Sequence, residues 1–331
     1  MSLREAWDRL RPGRSIHGIS AVLLPHGSDG RIDWPAFERL VTRTADAGLD
    51  AAVNMDTGFG DLLSAAERAA VLDVTRATLG RGRPFYAGAY PERDADGTDL
   101  IRSYHASIAA IVERGATPVI VQARAMHGMD AAAKAGLYAA ICAAAPAAIG
   151  FELGPVFAPH GEIWDEETFA RVLAIPQLAG AKHSSLDRAT ELRRLEARDR
   201  QRPEFRVYTG NDLAIDMVAF GSDYLLGLST FAPAAFAARD AAFARGSVDF
   251  LSHNDALQHL GNVGFRTPVP AYKHAAALYL HLTGVLDGDG IHPRAPRRPQ
   301  SDRLLLLDCA LRVGDVDDPE RVFAERVAPF L

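Results

Sequence analysis

Cysteine is almost missing from this chain of 331 residues: Cys142 and Cys309 are the only two, far apart in sequence. Neither a disulfide framework nor a zinc-ligand spacing can be built from such a pair. No apolar run reaches the roughly 20 residues that span a bilayer. The opening MSLREAWDRLRPGRS has none of the apolar core of a signal peptide. A net charge of -6 offers no basic surface for nucleic acid or an anionic membrane. The one basic, proline-rich stretch, HPRAPRRPQ (292–300), reads as a surface connector. The expectation is a cytoplasmic protein whose partner is a small molecule, with no nucleic acid and no membrane.

Metal motifs are also missing. No H-E-x-x-H occurs. A metal hydrolase on a barrel carries H-x-H on its first strand, and here the corresponding run SIHGIS holds only His17. His274 and His281 lie seven apart, on one helix face over two turns, which suits core or interface packing. DGDG (287–290) lacks the remaining ligands of a calcium loop and reads as a turn. Neither a metal nor a cofactor is expected.

What the chain does have is a repeated alternation. Eight short runs are apolar on both faces and bounded by turn residues: 16–25, 49–56, 84–90, 117–123, 147–153, 178–184, 206–212 and 223–229. Double-faced apolar runs of strand length are the mark of buried parallel strands. Helical patterns lie between them, at 32–48, 64–80, 98–115, 129–145, 165–175 and 186–200. The second opens on Ser64 and Glu67, a capping-box pair, and stops at Gly80, suited to a left-handed cap. Eight strand–helix units within about 230 residues predict an α/β fold, a closed (β/α)8 TIM barrel. A doubly wound open sheet would carry a glycine-rich phosphate turn after its first strand, and LLPHGSDGRID has no G-x-G-x-x-G. The predicted organisation is an N-terminal segment (1–15), the barrel (16–246) and a helical C-terminal extension (247–331).

Barrel enzymes work at the C-terminal ends of their strands. That rim holds Pro25, Asn54, Asp56, Thr57, Arg124, Glu152, Lys182, Tyr208, Asn211, Asp212 and Ser229. Lys182 is the anomaly, a lone amine in the small, apolar run LAGAKHSSLD. An amine aimed into a barrel mouth loses hydration, which favours its neutral form. A neutral amine attacks carbonyl compounds to form a Schiff base. The bland counterpart is a lysine whose stem packs along the rim and whose head reaches water.

At this point the chain resembles the dihydrodipicolinate synthase and N-acetylneuraminate lyase family of class I aldolases. GAKHSS (180–185) is similar to the family's G-x-K-x-[ST]-[ST/G] context on the sixth strand. GISAVLLPHGSDGRID (18–33), AVNMDTGFGDLLSAAER (52–68), PFYAGAY, YTGNDLAIDMVAFGSDYLLGLS (208–229) and PVPAYKHAAALYLHLTG (268–284) follow the family's order and spacing over residues 16–310. The resemblance implies a Schiff-base lyase, aldolase or dehydratase acting through Lys182 on a small keto-acid or sugar-acid-like carbonyl compound. It also implies a homodimer or homotetramer.

Two departures stand out. The family's Thr-Thr pair, which holds the carboxylate of pyruvate, is Asp56-Thr57 here, and an ionised Asp56 repels such a carboxylate. The family's fifth-strand tyrosine has no counterpart: Phe151 stands where the strand would deliver it, and an ungapped count from Lys182 gives Gly154. Glu152 is the candidate substitute for proton transfer, with His160 behind it. Thr57 and Gly58 are expected to form a substrate-facing turn. Gly210, Asn211 and Asp212 are expected to contact a hydroxylated substrate, although Asp212 equally suits a helix cap. Gly227 is expected to permit close approach of substrate or backbone. The altered tyrosine and threonine motivate an alternative, a barrel of the same family that binds a ligand without turnover.

Overall fold

The computed structural model describes residues 10–92 and 95–331. Residues 1–9 of the expected N-terminal segment therefore lie outside the described residues. The eight expected strands all form: β1 (Gly18–Ala21), β2 (Asp50–Val53), β3 (Phe85–Ala89), β4 (Thr117–Ile120), β5 (Ala148–Leu153), β6 (Leu178–Ser184), β7 (Arg206–Thr209) and β8 (Asp223–Leu226). They pair in parallel in chain order, and β1 meets β8 through Gly18 opposite Tyr224, closing the (β/α)8 barrel.

The six helices between strands also form: α1 (Trp34–Asp46), α2 (Ala65–Leu79), α3 (Gly97–Glu113), α4 (Ala131–Cys142), α5 (Glu166–Leu173) and α6 (Arg188–Gln201). Their ends obey local chemistry. Ser64 and Glu67 complete the capping box of α2, each satisfying an amide that the helix start leaves free. Asp130, Asp165 and Asp187 cap α4, α5 and α6 through their side chains. Beyond β8 come α7 (Pro233–Ala244), α8 (Asp249–Gly264), α9 (Tyr272–Leu282), α10 (Asp302–Val313) and α11 (Pro319–Arg326). These are the helical C-terminal part that the pattern after residue 232 predicts. Among the described residues, no helix is long and apolar enough to cross a membrane.

Strand alternation divides the core in two. Ile19, Ala52, Val119, Ile149, Phe151, Tyr208 and Leu225 fill the interior of the barrel. The opposite faces pack against the helices in a larger cluster. The Tyr208 hydroxyl lies 3.2 Å from Nδ1 of His17, whose Nε2 is 2.8 Å from Asp50. His17 immediately precedes β1 and Asp50 opens β2, so Tyr208 belongs to the barrel's floor, not its rim.

Candidate active site

Lys182 sits on β6, opposite Phe151 of β5 and Tyr208 of β7. Phe151 and Tyr208 belong to the interior cluster, and the Lys182 amine rests 4.2 Å from the centre of the Phe151 ring. The amine is buried. Among the described residues it makes no hydrogen bond or ion pair. Loss of hydration pulls its pKa down from 10.5 to about 8, against the opposing pull of Asp212 and Asp56. Gly210 makes room for it: a Cβ there would lie 2.7 Å from Cε of Lys182 and 2.1 Å from Oγ of Ser184. The glycine thus serves the lysine stem.

Asp56 opens a single 3-10 turn after β2, Asp56–Gly58, which follows left-handed Asn54 at φ 52°. Its Oδ1 accepts from Nζ of Lys273 at 2.7 Å, and its Oδ2 accepts from the Tyr272 hydroxyl at 2.8 Å. Burial pushes this carboxyl up, but the Lys273 ammonium and the two hydrogen bonds together outweigh it and hold Asp56 below its usual range, ionised. Oγ1 of Thr57 lies 2.9 Å from the same Tyr272 hydroxyl. Asp212 is buried beyond β7 and accepts from the amide of Leu228 at 2.7 Å. Burial raises its carboxyl to about 7, despite the nearby charge of Lys182. Burial thus brings both the Lys182 amine and the Asp212 carboxyl within reach of neutral pH, where a group can take or release a proton.

A cavity of about 550 Å³ opens over the β2–β5 side of the mouth. Asp56, Arg68, Tyr90, Arg124, Phe151 and His160 are on its wall. Lys182 is not itself on that wall. It meets the cavity through Phe151, on which its amine rests, and through the charge of Asp56.

The other expected site residues are placed differently. Glu152 alternates with Phe151 and so points out of the barrel. Its carboxylate accepts from Nε and Nη2 of Arg194 at 2.9 and 3.1 Å, and it lies 3.3 Å from Nδ1 of His183. This buried cluster corrects its candidacy as proton carrier, because strand alternation puts it on the face away from the lysine. Asn211 is likewise spent on the framework. It accepts from the amide of Leu186 and donates to the buried carboxylate of Glu191, which also takes the hydroxyls of Thr209 and Ser222. A Cβ at Gly58 would lie 3.2 Å from the Val22 carbonyl, and one at Gly227 would lie 3.0 Å from both Thr57 Oγ1 and Tyr272 Cε2. These glycines admit neighbouring protein. His160 borders the cavity, with Nε2 3.2 Å from the Gln122 carbonyl. No group of three or more histidine, cysteine or acidic side chains among the described residues is arranged to hold a metal ion.

Two residues of α9 were missed by sequence reasoning, Tyr272 and Lys273. Their signal was present: Lys273 in AYKHAAALYL is an amine in an apolar run, the same anomaly as Lys182. The chain has just three lysines, Lys134, Lys182 and Lys273, and all three are buried.

The comparisons place this chain among closed (β/α)8 barrels. The chain belongs to the family described as a protein of unknown function, DUF993, whose model matches residues 17–327. Solved structures share the fold over nearly the full length. Dihydrodipicolinate synthase from Thermotoga maritima superposes with a TM-score of 0.79 at 18% identity, covering 92% of this chain and 100% of that one. The Acinetobacter baumannii enzyme complexed with pyruvate gives 0.76 at 21% identity, covering 92% and 100%. YagE of E. coli K12, a prophage protein of the dihydrodipicolinic acid synthase family in complex with pyruvate, gives 0.79 at 16%, covering 91% and 99%. No curated protein sequence matches the chain.

Proposed function

We propose that the protein is a lyase of the aldolase type that works through a Schiff base at Lys182. The supporting observation is the amine itself: buried at the barrel mouth, free of any ion pair among the described residues, and with its pKa drawn down to about 8. The neutral nitrogen adds its lone pair to a carbonyl carbon. The carbonyl oxygen takes up two protons and leaves as water, giving a protonated C=N bond. That cation withdraws electrons from the neighbouring carbon, so an adjacent carbon–carbon or carbon–oxygen bond can break or form. Asp212 takes the proton-carrying role first expected of Glu152, because burial raises its carboxyl to about 7 against the lowering charge of the same amine.

A second reading, binding without turnover, is favoured by Phe151. A hydrocarbon ring lies against the amine where the related family has a phenol, and Lys182 is off the cavity wall.

Borohydride reduction tests the first reading. A panel of small carbonyl compounds, added with reductant, is expected to leave an irreversible adduct on Lys182, located by peptide mass and lost in Lys182→Met. An unmodified Lys182 across keto acids, aldehydes and ketones alike would refute the mechanism. An adduct on Lys182 without bond cleavage in any compound that forms one would favour binding alone.

A further inference from the structure

The environment of the amine narrows the compound it takes. Asp56 and Asp212 both act on Lys182 through their charge. The cation that balances Asp56 is already engaged: Lys273 Nζ lies 2.7 Å from Oδ1, and the Tyr272 hydroxyl closes the other oxygen at 2.8 Å. The one free side-chain hydroxyl of that turn, Thr57, is held by the same phenol at 2.9 Å. The Lys273 ammonium and the Thr57 hydroxyl, which could otherwise receive an anion, are thus both engaged within the protein. The ionised carboxylate of Asp56 accepts hydrogen bonds and does not donate them, so what it recognises is a donor. Hydroxyl groups supply donors without charge. A substrate ammonium would supply them too, but it would sit beside the iminium that the reaction creates, and like charges at short range repel.

A carboxylate on the carbon next to the reacting carbonyl would enter beside Asp56 as a second anion sharing the one Lys273 ammonium in a dehydrated site. The guanidinium groups of Arg68 and Arg124 do line the cavity, but Arg68 donates Nη1 to the carbonyls of Gly60 and Leu63, and Arg124 is solvent-exposed. They suit the outer end of a bound molecule better than the atoms that flank its carbonyl.

Building on the Schiff-base reading, we propose that the compound condensing with Lys182 is a hydroxylated aldehyde or ketone with no carboxylate beside its carbonyl, with Asp56 accepting a hydrogen bond from one of its hydroxyls. In the trapping step, the amine and carbonyl compound lose one water to give the imine. Borohydride then delivers hydride to the imine carbon and solvent delivers a proton to nitrogen. Lys182 gains the mass of the carbonyl compound less one oxygen atom.

The test is competitive trapping of dihydroxyacetone against pyruvate at equal concentration, read as the ratio of the two adducts on Lys182. The ratio is expected to favour dihydroxyacetone by at least about tenfold, the scale of a desolvated like-charge contact. Asp56→Asn, which releases Lys273 to meet an anion, is expected to shift the ratio toward pyruvate by at least about tenfold. A wild-type ratio favouring pyruvate overturns this inference while leaving the Schiff base standing. Absence of both adducts overturns this inference, and absence of any adduct across the full carbonyl panel overturns the Schiff-base reading beneath it. The wild-type ratio decides the matter even if Asp56→Asn fails to fold, and an Asp56→Asn protein with native circular dichroism and an unchanged ratio also counts against it.

Discussion

The Lys182 amine should react with carbonyl compounds at neutral pH far faster than an ordinary lysine. With the pKa drawn from 10.5 to about 8, about one amine in eleven is neutral at pH 7, against about one in three thousand for an unperturbed lysine. The gain in reactive form is about 300-fold, equivalent to about 3.4 kcal/mol over 2.5 units at 1.36 kcal/mol per unit. A less basic nitrogen is a weaker nucleophile, so this is the upper bound on the rate gain. The assay is single-turnover trapping with cyanoborohydride between about pH 6 and about pH 10, followed by peptide mass. Only three lysines compete, all buried, so the adduct can be assigned without ambiguity. The trapping rate should climb with pH and level off a little above 8. Because Asp212 titrates close by, the observed midpoint belongs to the pair. A rate that still rises tenfold per unit past pH 9 would show a fully hydrated amine and refute the reasoning.

Four further outcomes follow from the same geometry. Asp212→Asn removes the anion that most raises the Lys182 pKa, so the trapping profile should move down by about one unit while turnover falls by about 10²-fold or more. Gly210→Ala places a methyl 2.7 Å from Lys182 Cε and 2.1 Å from Ser184 Oγ; both side chains must shift, and trapping should slow by about 10²-fold with little change in melting temperature if they alone yield. Glu152→Gln should lower stability measured by urea titration yet leave the midpoint of the trapping profile in place, because its partner is Arg194 on the outer face of the barrel; a displaced midpoint would return Glu152 to the chemistry. Arg194→Met should be worse, by about 3–5 kcal/mol, since it leaves a buried carboxylate without its cation.

The barrel was legible because its signal is local and repeated. Each of the eight runs is apolar on both faces, and helices with their own caps separate them, so period and punctuation agree at every step. Lys182 was legible for the opposite reason, as a charge that violates its surroundings. The role of Glu152 was not. Position along the strand put it at the rim, but which face it occupies depends on alternation counted from Lys182 across the β5–β6 register. Asp212 was placed at the rim, yet the burial that raises its pKa depends on chain packed over it after β8. Tyr272 and Lys273 were out of reach of reasoning confined to strand ends, because they arrive from a helix more than two hundred residues beyond the Asp56 they meet. The repulsion expected of an ionised Asp56 is met in part by that helix, since Lys273 balances its charge within the protein.

Replacing Lys182 should make the protein more stable while ending its chemistry. The folded-state pKa is depressed below the unfolded value, so between about 8 and 10.5 the unfolded chain binds more protons than the folded one, and stability rises with pH. Below pH 8 the amine is charged in both states, and the net cost of holding it charged in the fold, burial less its attraction for Asp212 and Asp56, is fully present, about 3.4 kcal/mol at 1.36 kcal/mol per unit. Lys182→Met keeps an unbranched stem against Phe151 and removes that net cost, losing only the amine's attraction for the ring. The net gain at pH 7 should therefore be positive and below about 3 kcal/mol, and it should shrink as the pH is raised through 8 toward 10.5. Urea midpoints of the wild type and Lys182→Met, taken at pH 7 and again near pH 10, check both sign and trend. A variant less stable than the wild type at pH 7 would mean that the amine is held by its neighbours more strongly than dehydration disfavours it. In that case it would be a structural cation, and the carbonyl chemistry proposed for it would lose its physical basis.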